Sequence, residues 1–197
     1  MNVFYEDLPE TLKINGKEYP IITDFREWIR FSDMLKSELQ PQYKLEFLAE
    51  MFLEDAPDLY TEEGVEEVMD SITSFLSLEA LEFPNQYSDE LEEVEYKDAT
   101  EKKAIYYEQD APYIISAFRR EYQVNLLSVP YMHWWEFRML LDGLSEESQI
   151  KKRIYWRTCD VSKMEKKERM EILKIRRSIT IPEEEYVSDE DIGNAFM

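Results

Sequence analysis

The chain has 197 residues, enough to bury a real core, and its 44% hydrophobic and 14% aromatic content is that of a folded protein. A formal net charge of −21 favours solubility and repels bare nucleic acid and anionic membrane. Four glycines and one cysteine argue against phosphate loops, β-sandwiches and a disulfide framework, and no apolar run approaches the about 18 residues of a membrane span.

The acidic start, Met1–Asp7, lacks the basic region and apolar core of a secretory signal. Thr11–Ile14, Asn15-Gly16 and Lys17–Ile22 read as a β-hairpin, because both turn positions want φ > 0. Asp24 with Glu27 three residues on marks a helix start, and Phe25, Trp28, Ile29, Ser32 and Leu35 follow at helical spacing. Pro41 opens a second helix with Leu45, Leu48 and Phe52 on its inner face, and Pro57 ends it. Thr61 begins a third, whose stripe is Val65, Val68, Met69, Ile72, Phe75 and Leu76.

Between Glu82 and Lys103 the pattern stops in Pro84, Asn85, Ser88 and a run of acids, which predicts an exposed linker. Asp110 then caps a helix with Pro112 in its first turn and Ala111, Ile114, Ile115, Phe118 and Tyr122 on one face. The densest apolar stretch, Tyr131–Leu144, reads as a helix opened by Pro130 and closed by Gly143 in a positive-φ conformation. It is apolar on two sides, Trp134/Phe137/Leu141/Leu144 and Met132/Trp135/Met139, which predicts a helix sandwiched at the centre of its domain. Ser145-Glu146-Glu147 caps the next helix, ending near Thr158. Ser162 caps the last, to about Ser178, with Met164, Ile172, Ile175 and Ile179 on one face. Pro182 and the acids after it read as a disordered tail.

The expected fold is therefore mainly α: an N-terminal β-hairpin followed by a helical bundle around a central buried helix. The expected divisions are a hairpin with three helices over 1–81, an acidic linker over 82–103, a helical domain over 104–180 and an acidic tail over 181–197. The structural core is expected to include Phe118, Tyr122, Trp134, Trp135, Phe137 and Leu141.

Candidate chemistry is sparse. His133 and Glu136 stand three apart on one helix edge, but a catalytic zinc needs about three ligands, usually several His or Cys, and the chain holds one of each. A hydrogen-bonded histidine is the better reading. Cys159 with His133 as its base would make a nucleophile, yet no local signature surrounds it, and a small buried hydrophobe is preferred. Acid pairs are inevitable among 44 carboxylates, and none stands out. No catalytic residue, metal site or cofactor is expected.

The charge is uneven: 12 basic against 34 acidic residues over 1–150, 11 against 4 over 151–177, and none against 6 over 178–197. The basic stretch, with Tyr155 and Trp156, would suit nucleic acid, but the acidic body opposes that. Pairing with acidic surface of the same chain or another copy is preferred, and such a split suits assembly into a homo-oligomer. The expected partner-contact residues lie on the basic last helix: Lys166, Arg169, Lys174, Arg176 and Arg177.

Three stretches, Tyr107–Phe118 with Glu108-Gln109-Asp110-Ala111, Tyr131–Leu141 with His133-Trp134-Trp135-Glu136-Phe137-Arg138, and Ile154–Thr158 with Tyr155-Trp156-Arg157-Thr158, occur in that order before the basic helix. Together they resemble the bacteriophage "gene product fifteen" family of tailed phages and prophages of Gram-positive bacteria, over about residues 105–180. The resemblance implies a gene between those of the major tail protein and the tape-measure protein. It thereby implies a non-enzymatic tail assembly chaperone in the host bacterial cytoplasm, with the tape-measure protein and other tail proteins as partners. It supplies no catalytic residues. The alternatives are a structural tail completion or connector component of the virion, and an acidic nucleic-acid mimic that inhibits a host DNA-binding protein.

Overall fold

A computed structural model describes residues 2–35, 37–78, 81, 104–162 and 164–180. The expected acidic linker over 82–103 and tail over 181–197 lie outside the described residues. The fold is mainly helical with an N-terminal two-stranded hairpin. The described residues fall into two compact units, one drawn from 1–94 and 131–137, the other from 95–130 and 138–186.

In the first unit β1 (Thr11–Ile14) pairs antiparallel with β2 (Lys17–Pro20), with Leu12 opposite Tyr19. Asn15 at φ 51° and Gly16 at φ 77° make the tight turn, as the Asn-Gly pair predicts. Leu12 and Ile14 are buried while Lys13 between them faces water, the period of a one-sided strand. Helix α1 (Phe25–Leu35) starts where Asp24 Oδ1 accepts from the Arg26 N–H at 2.9 Å. It buries Phe25, Trp28, Phe31, Met34 and Leu35.

Helix α2 (Pro41–Glu50) is shorter than its sequence pattern predicts. Phe52 lies past its end and pairs across an isolated antiparallel bridge with Ile21. The Met51 carbonyl accepts from Ile22 and the Pro20 carbonyl from Leu53 at 2.9 and 3.0 Å, so hairpin pairing takes the backbone before Pro57 is reached. Lys44 is buried, its ammonium donating to the Leu35 carbonyl at 2.8 Å and so closing the end of α1.

Thr61 caps α3 (Glu62–Leu76), its hydroxyl accepting from the Gly64 N–H at 3.2 Å. Val65, Val68, Met69, Ile72 and Phe75 form the buried stripe, and α3 packs against β1. Gly64 is required by proximity: a Cβ there would stand 2.4 Å from the Asp58 carbonyl oxygen. Helix propensity alone would make Gly64→Ala stabilising by about 1 kcal/mol. We expect the backbone clash to win and the variant to lose about 1–3 kcal/mol in urea unfolding. A gain in stability would show that the Asp58 turn yields freely.

Residues 131–137 belong with this unit although they follow α4 in sequence. The Phe25 N–H donates to the Met132 carbonyl at 3.0 Å, and the Trp134 N–H to the Thr23 carbonyl at 2.7 Å. The Phe25 ring stacks on Phe137 with centroids 4.6 Å apart. Phe75 lies 4.8 Å from Trp28 and 5.7 Å from Trp135, centroid to centroid.

The second unit holds α4 (Tyr107–Glu121), α6 (Gln149–Thr158) and α7 (Lys166–Ile179). Helix α5 (Trp134–Asp142) contributes Trp134–Phe137 to the first unit and Arg138–Asp142 to the second. Several helix starts differ from the sequence reading. Helix α4 begins before Asp110, whose Oδ2 reaches back to the Tyr106 N–H at 3.0 Å. Pro112 therefore lies beyond the first turn and cannot donate to the Glu108 carbonyl. Ser148, not Ser145, caps α6, accepting from the Lys151 N–H. Ser145 binds Glu121 through its N–H and hydroxyl. Ser162 binds Asp160, and α7 starts at Lys166 after Glu165.

Gly143 follows α5 without the positive φ predicted for it. Its role is close approach, since a Cβ would stand 3.1 Å from the Tyr122 hydroxyl, which donates to the Leu140 carbonyl at 2.9 Å. Trp134, Trp135, Phe137, Leu141 and Phe118 are buried; Tyr122 is half-buried. Both apolar wedges of the central helix thus supply buried residues.

Candidate functional site

The polar groups best suited to chemistry are already engaged. His133 precedes α5, and its Nδ1 accepts from the Trp135 N–H at 3.0 Å. Its Nε2 must then carry the proton, and it donates to the Pro9 carbonyl at 3.0 Å. Burial favours the neutral ring and pushes its pKa below 6.5, against the opposing pull of the Pro9 bond, Glu10 and Glu136. Both nitrogens are used, so His133 serves as a helix cap that ties the N-terminal segment to α5. In this arrangement neither ring nitrogen is left open to take a metal ion or a proton from a thiol. Glu136 beside it faces solvent.

Cys159 is half-buried, and its Sγ accepts from Arg176 at 3.5 Å. Among the described residues no group of three or more His, Cys, Asp and Glu side chains could hold a metal ion. Among them too, no helix is long and apolar enough to cross a membrane.

The strongest electrostatic feature is one the sequence reading did not single out. Asp110 is 0% exposed and Arg157 1%. Both terminal nitrogens of Arg157 bond the Asp110 carboxylate, and Arg153 Nε adds a bond at 2.8 Å. Burial raises the Asp110 pKa, but bonds from Arg157, the Tyr106 N–H and Arg153 outweigh it and hold the carboxyl below its ordinary 3.8. Arg157 also donates to the Ile179 carbonyl through Nε and Nη2, at 3.1 and 2.9 Å, and to the Ala104 carbonyl at 3.0 Å. Every contact is internal, so this cluster joins α4, α6 and the end of α7. It offers nothing to a ligand.

What remains open is one face of α7. The helix buries Ile172 and Ile179. Turned at about 100° per residue, Met170 lies nearly opposite them, with Leu173 beside it. Met170 is 59% exposed and Leu173 half-buried. Lys167, Met170, Leu173, Lys174 and Arg177 line a shallow concavity with an apolar floor, alongside the single acid Glu171.

Of the residues expected there, Lys166, Arg169, Lys174 and Arg177 are exposed, and among the described residues no carboxylate pairs with them. Arg176 is drawn inward, donating to the Trp156 carbonyl through Nε and to the Cys159 carbonyl through Nη2, each at 2.7 Å. The basic residues of α6 are also spoken for: Arg153 and Arg157 by Asp110, Lys152 by Glu147, Lys151 by the Asp142 carbonyl. Among the described residues of this unit, exposed cations without a carboxylate partner thus gather mainly on α7, around an open apolar centre. Lys167 and Met170 belong to that surface, and their placement opposite Ile172 and Ile179 was the periodic signal for them.

A family model described as Bacteriophage Gp15 protein matches residues 4–181. No curated protein and no solved structure matches the chain.

Proposed function

The chain belongs to the bacteriophage Gp15 protein family, whose model spans nearly all of it, and from that premise we propose that it is a non-enzymatic tail assembly chaperone which binds the tape-measure protein during tail morphogenesis. Membership itself supports the coarser statement, a phage structural or assembly protein. The finer reading is supported by α7, an open protein-contact face of the kind an assembly protein needs. A helix that is apolar on two sides is built to be covered on both, and here Met170 is open and Leu173 half-buried among Lys167, Lys174 and Arg177. Such a face suits protein contact, and methionine adapts to irregular apolar partners. The net charge of −21 would keep an apolar client in solution while it is covered. In this reading the protein works in the host bacterial cytoplasm.

The test is co-expression with the phage's tape-measure protein followed by native mass spectrometry. Many copies on one client are expected. Absence of any complex would sink the reading. Stoichiometric presence in purified particles would favour the alternative, a structural tail completion or connector component.

A further inference from the structure

The α7 face fits a second helix of opposite character, and this same chain presents one. Helix α2 carries apolar residues on more than one side. Leu48 is buried, while Tyr43 is 50% exposed and Leu39, just before the helix, 49%. At about 100° per residue Tyr43, Glu46, Phe47 and Glu50 fall on one face. Glu46 and Glu50 are exposed there, with Glu38 and Leu39 adjoining at the helix start. Phe47 is half-buried against Phe31, with ring centroids 6.4 Å apart.

The only cation of α2, Lys44, is withdrawn from this face because its ammonium closes α1 at the Leu35 carbonyl. Among the described residues the outer face is therefore apolar at its centre, and the charges at its rim are acidic. The face of α7 is apolar at its centre, Met170 and Leu173, and mainly basic at its rim, Lys166, Lys167, Lys174 and Arg177. Among the described residues, each face is exposed within its own unit.

We infer that the occupant of the α7 face is α2 of a second copy of this protein. The inference rests on reading α7 as a protein-contact surface, and it names that surface's partner. The two patches differ, so each contact joins α7 of one copy to α2 of another, and every copy has one patch of each kind to offer. Ten residues of α2 extend about 15 Å and fourteen of α7 about 21 Å. A single helix pair of that length falls short of a standard interface of about 1,200–2,000 Å². The association is accordingly weak and concentration-dependent, becoming firm only where copies are held side by side. The −21 charge of each copy opposes it at long range, but at about 0.15 M salt such repulsion is screened beyond about 8 Å, whereas the facing rims meet within that distance.

The test uses isolated full-length protein and sedimentation velocity over a wide concentration series at physiological salt. Wild type should shift to larger species as concentration rises. Glu46→Lys with Glu50→Lys should weaken self-association more than about tenfold, and Lys167→Glu with Lys174→Glu should do the same. All four positions are exposed, and circular dichroism checks that each variant is folded. An equimolar mixture of the two variants should associate again, because each then meets a complementary face on the other. A monomeric wild type would overturn the inference. So would association that only one of the two reversals weakens, which would indicate an α7–α7 or α2–α2 contact, and so would a mixture that fails to recover. No client is present, so the result stands apart from whether the tape-measure protein is bound.

Discussion

Arg157→Met should cost about 3–5 kcal/mol in urea unfolding of the full chain, because it strands a buried charge. Methionine keeps much of the side chain's volume, so the loss reports hydrogen bonds and charge more than a cavity. Asp110, fully buried, would keep only Arg153 and the Tyr106 N–H as partners. The Ile179 carbonyl, one of the orphan acceptors at the end of α7, would lose both Arg157 donors. The guanidinium also lies 4.6 Å from the Tyr106 ring centroid, so part of the loss is stacking. Asp110→Asn should be destabilising for the converse reason, leaving Arg157 without its counter-charge. The double variant should lose less than the sum of the two, since each single change has already broken the shared bonds. A loss under about 1 kcal/mol for Arg157→Met would mean that water enters and replaces the guanidinium.

The same pair sets a pH dependence of definite sign. The folded carboxyl of Asp110 lies below its ordinary 3.8. The unfolded chain therefore binds the proton first as pH falls. The stabilisation is fully present above about pH 4, the unfolded value, and is lost as pH drops through the folded one. The stability gap between wild type and Asp110→Asn should be widest above that point and narrow below it. His133 destabilises the fold in a different window, starting near its ordinary 6.5, because its buried ring is neutral and the unfolded ring takes up the proton. That loss is common to both chains and cancels in the difference.

What could be read from the sequence follows the range of the interaction. The hairpin rests on Asn15-Gly16, two adjacent residues whose φ preferences decide the turn, and it forms as predicted. The α3 stripe rests on spacing within one helix, and five of its six positions are buried. Family membership was also legible, from three motifs in order.

Reading fails where a residue's partner is distant. Asp110 reads as a cap and Arg157 as surface charge until the two, 47 residues apart, are seen to bury each other. Lys44 carries no signal in the sequence that the end of α1, nine residues before it, claims its ammonium. Arg176 counts among the basic residues of α7 until the Trp156 and Cys159 carbonyls turn it inward. Of the candidate surface, the sequence thus specifies the helix and its charge. Which cations remain free, and that Met170 stands open among them, depends on the packing of α6 and α7.

Trp135→Ala should be the second large loss, about 3–5 kcal/mol. The indole is 1% exposed, its ring centroid stands 5.7 Å from Phe75, and its N–H donates to the Phe75 carbonyl at 2.9 Å. Trp135→Phe separates the two contributions. The Phe75 carbonyl also receives the Leu78 amide, so losing the indole donor does not orphan it, and that bond should account for only about 1 kcal/mol. Most of the alanine loss should therefore be ring packing. The cap is untouched in either variant, because His133 receives the backbone N–H of residue 135 and not its side chain. Hydrogen exchange then locates the damage. The Phe25 and Trp134 amides, bonded to the Met132 and Thr23 carbonyls, should exchange faster in Trp135→Ala, while the Arg157–Asp110 cluster keeps α4, α6 and α7 protected. Unchanged exchange at Phe25 and Trp134 would mean that backbone pairing alone holds residues 131–137 in place, and that the indole serves only to fill the core.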